Sequence, residues 1–132
     1  MAIYLLDTSV IVDAMNGRRN RRELLAGLLR HGNALTCCTI NIIEVYTGMR
    51  PAEEAATAEF LGSLGYYEVT RPIARSAGQL RYDWACKGQT LSLADSTIAA
   101  VALAHGLMLM TDNNRHFPMQ ELQLYPMSGP LV

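Results

Sequence analysis

Ile3-Tyr4-Leu5-Leu6-Asp7-Thr8-Ser9-Val10-Ile11 places one acid and two hydroxyl residues between two apolar runs. The first run, Ile3 to Leu6, is short and aliphatic, as a buried strand requires. Thr8-Ser9 can cap a helix from about Val10 to Asn16, which Gly17 stops. The chain therefore begins strand, acid, helix, with the acid at the carboxyl end of the strand.

Outward from this start the same alternation repeats. Arg21 to Arg30 carries Leu24, Leu25, Leu28 and Leu29 at helical spacing, with Gly32 beyond its end. Ala34 to Cys38 reads as a second strand. Thr39 can cap a helix running to about Tyr46, ahead of Gly48. Pro51 suits the first turn of a further helix, with Ala55, Ala56, Phe60 and Leu61 on one face. Tyr66 to Thr70 reads as a third strand, and Pro72 opens a long helix to about Cys86. Ser92-Leu93-Ala94-Asp95 has capping-box spacing, which predicts a helix from about Leu93 to His105. Gly106 breaks it, Leu107 to Met110 forms a fourth strand, and Leu122 to Tyr125 a fifth. Strands alternating with helices predict an α/β fold: three layers, α/β/α, around a mostly parallel sheet of about five strands. The 132 residues suffice for one domain with its own core, residues 127–132 forming a loose tail.

Half the residues are hydrophobic and 17% are charged, which excludes a disordered chain. The formal net charge is −1, unlike the strongly basic proteins that coat nucleic acid. Cys37, Cys38 and Cys86 are odd in number and form no Cys-x-x-Cys pair, so neither a disulfide framework nor a zinc ribbon is expected. A reducing cytoplasm fits them. The longest apolar run, Ile98 to Met110, is broken at His105-Gly106 and is too short to span a bilayer. No membrane association is expected.

Four acids stand beside apolar segments. Asp7 ends the first strand, and Glu44 interrupts Ile40-Asn41-Ile42-Ile43-Glu44-Val45-Tyr46. Asp95 opens Asp95-Ser96-Thr97-Ile98-Ala99-Ala100, and Asp112 follows Leu107-Met108-Leu109-Met110-Thr111. A carboxylate among buried apolar groups costs free energy unless it is paired, hydrogen-bonded or bound to a cation. In doubly wound sheets, ligands bind beyond the carboxyl ends of the strands, where Asp7 and Asp112 fall. Four such acids suggest one shared, oxygen-rich site suited to Mg²⁺ or Mn²⁺. Each acid also has an ordinary explanation. Asp7 and Asp95 can cap helices, Glu44 can pair with an arginine, and Asp112-Asn113-Asn114 has the composition of a turn.

Arg18, Arg19, Arg21 and Arg22 fall within five positions. Such a run is a solvated surface, a contact to RNA phosphates or a clamp on an acidic partner segment. His31, His105 and His116 are not spaced as zinc ligands, and His105 suits the end of a helix dipole. Cys37 and Cys38 lie in a strand and read as buried, unreactive thiols.

The chain resembles the PIN-domain family, and within it the VapC-type toxin ribonucleases, from about Tyr4 to Pro126. Leu5-Leu6-Asp7-Thr8-Ser9-Val10-Ile11 resembles the family's opening motif. Thr39-Ile40-Asn41-Ile42-Ile43-Glu44-Val45-Tyr46-Thr47-Gly48 resembles its second, and Leu93-Ala94-Asp95-Ser96-Thr97-Ile98-Ala99-Ala100 its third. Thr111-Asp112-Asn113-Asn114-Arg115-His116-Phe117 resembles the fourth. There the family's last acid usually stands two residues after the Thr, where this chain has Asn113. Asp112 swinging in, an Asn113 carbonyl or a water can fill that position.

The resemblance implies a Mg²⁺- or Mn²⁺-dependent endoribonuclease leaving 5′-phosphate and 3′-hydroxyl ends. Asp7 and Asp95 would be direct ligands, with Glu44 orienting a water. Asp112 or Asn113 would act through water. Thr8 and Thr111 would hydrogen-bond the acids or the scissile phosphate, and Asn113 and the arginines would meet RNA. It further implies a homodimer and a small VapB-like antitoxin whose C-terminal segment blocks the acidic site. A catalytically weak PIN module that binds nucleic acid or protein is the alternative, resting on the missing acid at position 113. Other phosphoryl-transfer folds fit less well. Haloacid-dehalogenase phosphatases need a second Asp at position 9, which is Ser. Response-regulator receivers need an acidic pair where only Asp7 stands. A Gly-x-x-x-x-Gly-Lys loop is absent.

Overall fold

The computed structural model describes residues 1–127. Four parallel strands form the sheet: β1 (Ile3–Leu6), β2 (Ala34–Cys38), β3 (Gly65–Tyr67) and β4 (Met108–Met110), in the order β3-β2-β1-β4. The helices are α1 (Thr8–Met15), α2 (Arg21–Arg30), α3 (Thr39–Gly48), α4 (Glu54–Gly62), α5 (Arg71–Cys86) and α6 (Leu93–His105). Pro51–Glu53 and Asn114–His116 are short 3₁₀ turns.

Side chains alternate across the strands, and each face carries its own core. Leu5, Cys38 and Leu109 join Ile73, Ala77 and Ile98 of α5 and α6. Tyr4, Leu6, Leu35, Cys37 and Met110 join Val10, Ile11, Leu25, Val45 and Leu61 of α1 to α4. This is the three-layer α/β/α arrangement expected from the alternating pattern. At the join of β3 and β2, a Cβ on Gly65 would stand 2.9 Å from Thr36 Cγ2, so any larger residue there would have to push Thr36 aside.

Several local expectations change. The fifth strand is reduced to one bridge, Leu124 beside Leu109, because only the backbone around Leu124 bonds to Leu109. The third strand begins at Gly65 and ends at Tyr67, short of the expected Thr70. Asp7, not Thr8 or Ser9, caps α1, its carboxylate accepting from Thr8 N. Cys38 rather than Thr39 holds the N-cap position of α3, where Asn41 Oδ1 accepts from Cys38 N. Thr57 and Leu61 are the buried face of α4, whereas Ala55 and Ala56 are exposed. His105 does close the last turn of α6 as expected, and its ring also lies on Tyr67, with centroids 4.4 Å apart. The expected tail lies outside the described residues, except for Met127.

The chain leaves β1 toward β2 and β3 and returns on the other side to β4. The strand order therefore reverses between β1 and β4, and a crevice is expected at their carboxyl ends. Asp7 and Thr111 occupy those ends.

Candidate active site

Asp7 is 6% exposed and fixed from three directions. Its backbone N donates to Met110 O at 2.9 Å, tying β1 to β4. Oδ1 accepts from Thr8 N at 2.8 Å, and Oδ2 accepts from the Thr111 hydroxyl at 2.7 Å. Thr111 is itself fully buried, and its Oγ1 accepts from Asn113 N. Burial pushes the Asp7 carboxyl above its ordinary range. The bonds from Thr111 and Thr8 oppose that rise, and the negative charges of Asp95 and Glu44 add to it. These three carboxylates thus lie within electrostatic reach of one another.

Glu44 sits in the middle of α3, half-buried, with Oε1 accepting from the Thr8 hydroxyl at 2.5 Å. Asp95 lies in the first turn of α6, where its N donates to Ser92 Oγ at 3.0 Å. This capping places the Asp95 side chain at the helix end facing the site, its Oδ2 3.3 Å from His116 Nδ1. Ser92 is the cap of α6 and Asp95 the residue it holds, whereas at α1 cap and site acid are one residue, Asp7.

Asp112, next to Thr111, is held by two arginines. Its Oδ1 is 2.5 Å from Arg21 Nη2, and its Oδ2 is 3.5 Å from Arg19 Nη1. The arginine run is therefore largely folded back on the protein. Arg21 is buried, and Arg19 also lies 3.9 Å from Asp13. Arg22 donates to the carbonyls of Ala14 and Met15 at the end of α1. Arg18 lines a cleft of about 610 Å³ that also reaches Glu44, Met15, Val45, Met49 and Arg50. Arg19 and Asn20 both take left-handed backbone, each with φ of 56°, a turn that delivers Arg19 and Arg21 to Asp112. Asn113 is exposed beyond Thr111.

Two residues with no assigned role also stand at the site. His116 flanks Asp95, as above. Asn41, with no exposed surface, donates through Nδ2 to Thr8 Oγ1 at 3.0 Å. Its sequence signal is its place three residues before Glu44, on the same face of a helix.

Among the described residues, no three His, Cys, Asp or Glu side chains close into a ready-made metal cage. The donor set still fits a hard cation. Mg²⁺ takes one or two direct carboxylates and keeps several waters, so a cage is not required. Burial first, and then the charges of Asp95 and Glu44, disfavour the ionised Asp7, an imbalance that a divalent cation would relieve. Asp7 and Asp95 would hold such an ion, with Glu44 acting through water. Zinc, which favours nitrogen and sulfur donors, suits this oxygen-rich set less well.

Comparison with known proteins places this geometry. The PIN domain family matches residues 4–120. Ribonuclease VapC19 of Mycobacterium tuberculosis is 33% identical over 115 residues, covering 87% of this chain and 92% of that protein. Ribonuclease VapC10 of the same organism is 31% identical over 128 residues, covering 97% and 96%. VapBC2 from Rickettsia felis, bound to a DNA fragment from its promoter, aligns with a TM-score of 0.79 at 25% identity, covering 93% of this chain and 97% of that chain. DNA-bound VapBC from Salmonella typhimurium aligns with a TM-score of 0.78 at 25% identity, covering 95% and 98%. By its sequence and its fold, the chain belongs to the PIN-domain family, among its VapC-type members.

Proposed function

We propose that this protein is a Mg²⁺- or Mn²⁺-dependent endoribonuclease, the toxin of a toxin–antitoxin pair. The observation that carries this reading is the buried Asp7, tied to Thr111 and facing the charges of Asp95 and Glu44 at the strand-order reversal. Relatives named as VapC ribonucleases, and solved VapBC complexes, support it.

A divalent ion held there would acidify water and spread the charge on the phosphoryl oxygens. The chain's own residues do the positioning. Asp7 and Asp95 present oxygens from two elements, and Glu44 orients the attacking water. Thr8 and Thr111 hold the carboxylates through hydrogen bonds. The exposure of Asn113 beside Thr111 supports a contact with substrate. Arg18 in the cleft beside Glu44 is the member of the arginine run best placed to meet RNA or an antitoxin segment.

The partners are an RNA substrate, a small VapB-like antitoxin covering the acidic site, and a second copy of the chain. We place the protein in the cytoplasm, a setting that its three unpaired cysteines suit. Among the described residues, no helix is long and apolar enough to cross a membrane.

Growth after induced expression tests the reading, comparing the native chain with Asp7→Ala and Asp95→Asn at equal soluble protein. Arrest by the native chain alone, with Mn²⁺-dependent RNA cleavage abolished by chelator, is the expected result. Equal arrest by all three would overturn it. The second reading, a binding module of weak activity, draws on the capture of Asp112 by Arg21 and Arg19. A Mn²⁺ titration separates the two, because a degenerate site would bind the ion poorly.

A further inference from the structure

Of the three site acids, Glu44 alone hangs from the middle of a helix. Asp7 is gripped by a helix start and by Thr111, and Asp95 stands in the first turn of α6. A glutamate has three side-chain torsions, and freezing them costs conformational entropy. Among the described residues, its only side-chain hydrogen bond comes from Thr8.

The direction of that bond is set one step further back. Asn41 Oδ1 accepts from Cys38 N at 2.8 Å, and a backbone N–H can bond only to the amide's oxygen. The amide orientation is therefore fixed, and Nδ2 is the group facing Thr8. Nδ2 can only donate, so Thr8 Oγ1 must accept from it. A hydroxyl has one proton to give, and that of Thr8 then points to Glu44 Oε1. Asn41 has no exposed surface, so water does not compete for its amide.

We propose that Asn41 is a positioning residue of the site: it polarises Thr8 so that the hydroxyl locks one oxygen of Glu44 and leaves the other for the chemistry. The inference rests on the metal-dependent reading above. A purely structural role for Asn41, capping α3 through Cys38 N, is the competing account, and it does not involve Thr8.

A double-mutant cycle on Thr8→Val and Asn41→Ala separates them, read by Mn²⁺ affinity from electron paramagnetic resonance and by kcat and KM on RNA. Partners of this kind typically contribute about 10–100-fold in metal affinity or turnover. Thr8→Val should lose about 10-fold in Mn²⁺ affinity or kcat, with KM little changed. Asn41→Ala should lose a similar amount in the native background and almost nothing more beside Thr8→Val. Thr8→Ser, which keeps the hydroxyl, should recover most of the Thr8→Val loss. Should Asn41→Ala fold poorly, Asn41→Asp takes its place in the cycle, since it keeps an oxygen for Cys38 N and removes the Nδ2 donor: native Mn²⁺ affinity and turnover in that variant overturn the proposal. Additive losses in the cycle, or a folded Asn41→Ala with native Mn²⁺ affinity and turnover, also overturn it. Coupled losses of Mn²⁺ affinity in a protein that cleaves no RNA would sustain the relay and reject the ribonuclease reading.

Discussion

The guanidinium of Arg21 meets Asp112 across 91 positions of sequence, both side chains largely buried. The contact pins α2 to the loop after β4, just behind the strand end that carries Thr111. It also gives the fourth acid a cationic partner, where Asp7 bonds only to Thr8 N and the Thr111 hydroxyl. An arginine of the chain itself thus neutralises a carboxylate at the edge of the site.

Removing one half of this pair leaves the other charged and poorly solvated. Asp112→Ala should destabilise the fold by about 3–5 kcal/mol, since Arg21 loses its partner. Asp112→Leu with Arg21→Met should be much milder, because neither charge remains. Urea unfolding would measure both. Mn²⁺ affinity of the folded Asp112→Ala protein should stay within a few-fold of native. A loss as large as that of Asp95→Asn would put Asp112 back among the metal-holding groups.

The crowded acids also set a pH dependence for the metal-free protein. Burial and the charges of Asp95 and Glu44 outweigh the bonds to Thr111 and Thr8, so Asp7 holds its proton more tightly folded than unfolded. The folded state then binds more protons than the unfolded one, and stability falls as pH rises from 3.8 through the raised folded value. Asp7→Asn keeps an oxygen for Thr8 N and removes the charge. Without metal it should melt above the native protein at neutral pH, with a flatter profile between about pH 4 and about pH 7. Calorimetry across that range checks this; a native profile as flat as the variant's would refute it.

The thiols should divide sharply in reactivity. Burial, with the neighbouring Cys38, pushes Cys37 up to about 11, and burial also raises Cys38. At about pH 8 roughly one Cys37 in a thousand is thiolate, while Cys86 is exposed. Iodoacetamide should therefore modify Cys86 in the folded protein and all three thiols in urea, as read by intact mass. Modification of Cys37 at the rate of Cys86 would contradict the buried β2.

Gly65→Ala would bring a methyl group to 2.9 Å from Thr36 Cγ2. Overpacking of this kind typically costs about 1–3 kcal/mol. Because β2 runs directly into Asn41 and Glu44, some loss of turnover should accompany it. Thr36→Ser removes the clashing methyl yet keeps a hydroxyl for the bond to Tyr4 O, so it should restore most of the loss. Thermal melts of the single and double variants decide the matter.

The sequence disclosed the layers because burial wrote them in apolar periodicity. The helices Arg21–Arg30 and Leu93–His105 fall where leucine spacing and the Ser92 cap predict. The ends of β1 and β4 were legible for the same reason, since Asp7 and Thr111 stop apolar runs. The fate of Asp112 was not legible. Its partner lies 91 residues away, and an arginine run reads alike whether it faces water, RNA or a carboxylate. Asn41 was hidden differently: an asparagine in an apolar stripe carries no sign of which amide atom faces which neighbour. The fifth strand shrank to a single bridge because only the backbone around Leu124 reaches Leu109.

The hydrogen bond from Thr111 to Asp7 closes a loop of 104 residues. During synthesis, β1 can find β2 early, but β4 must emerge before Asp7 acquires either Thr111 or the Met110 carbonyl. Closing long loops is entropically costly and comes late in folding. A nascent or truncated chain ending before Thr111 thus lacks this half of the carboxylate cluster. That order delays completion of the acidic site until β4 has been made.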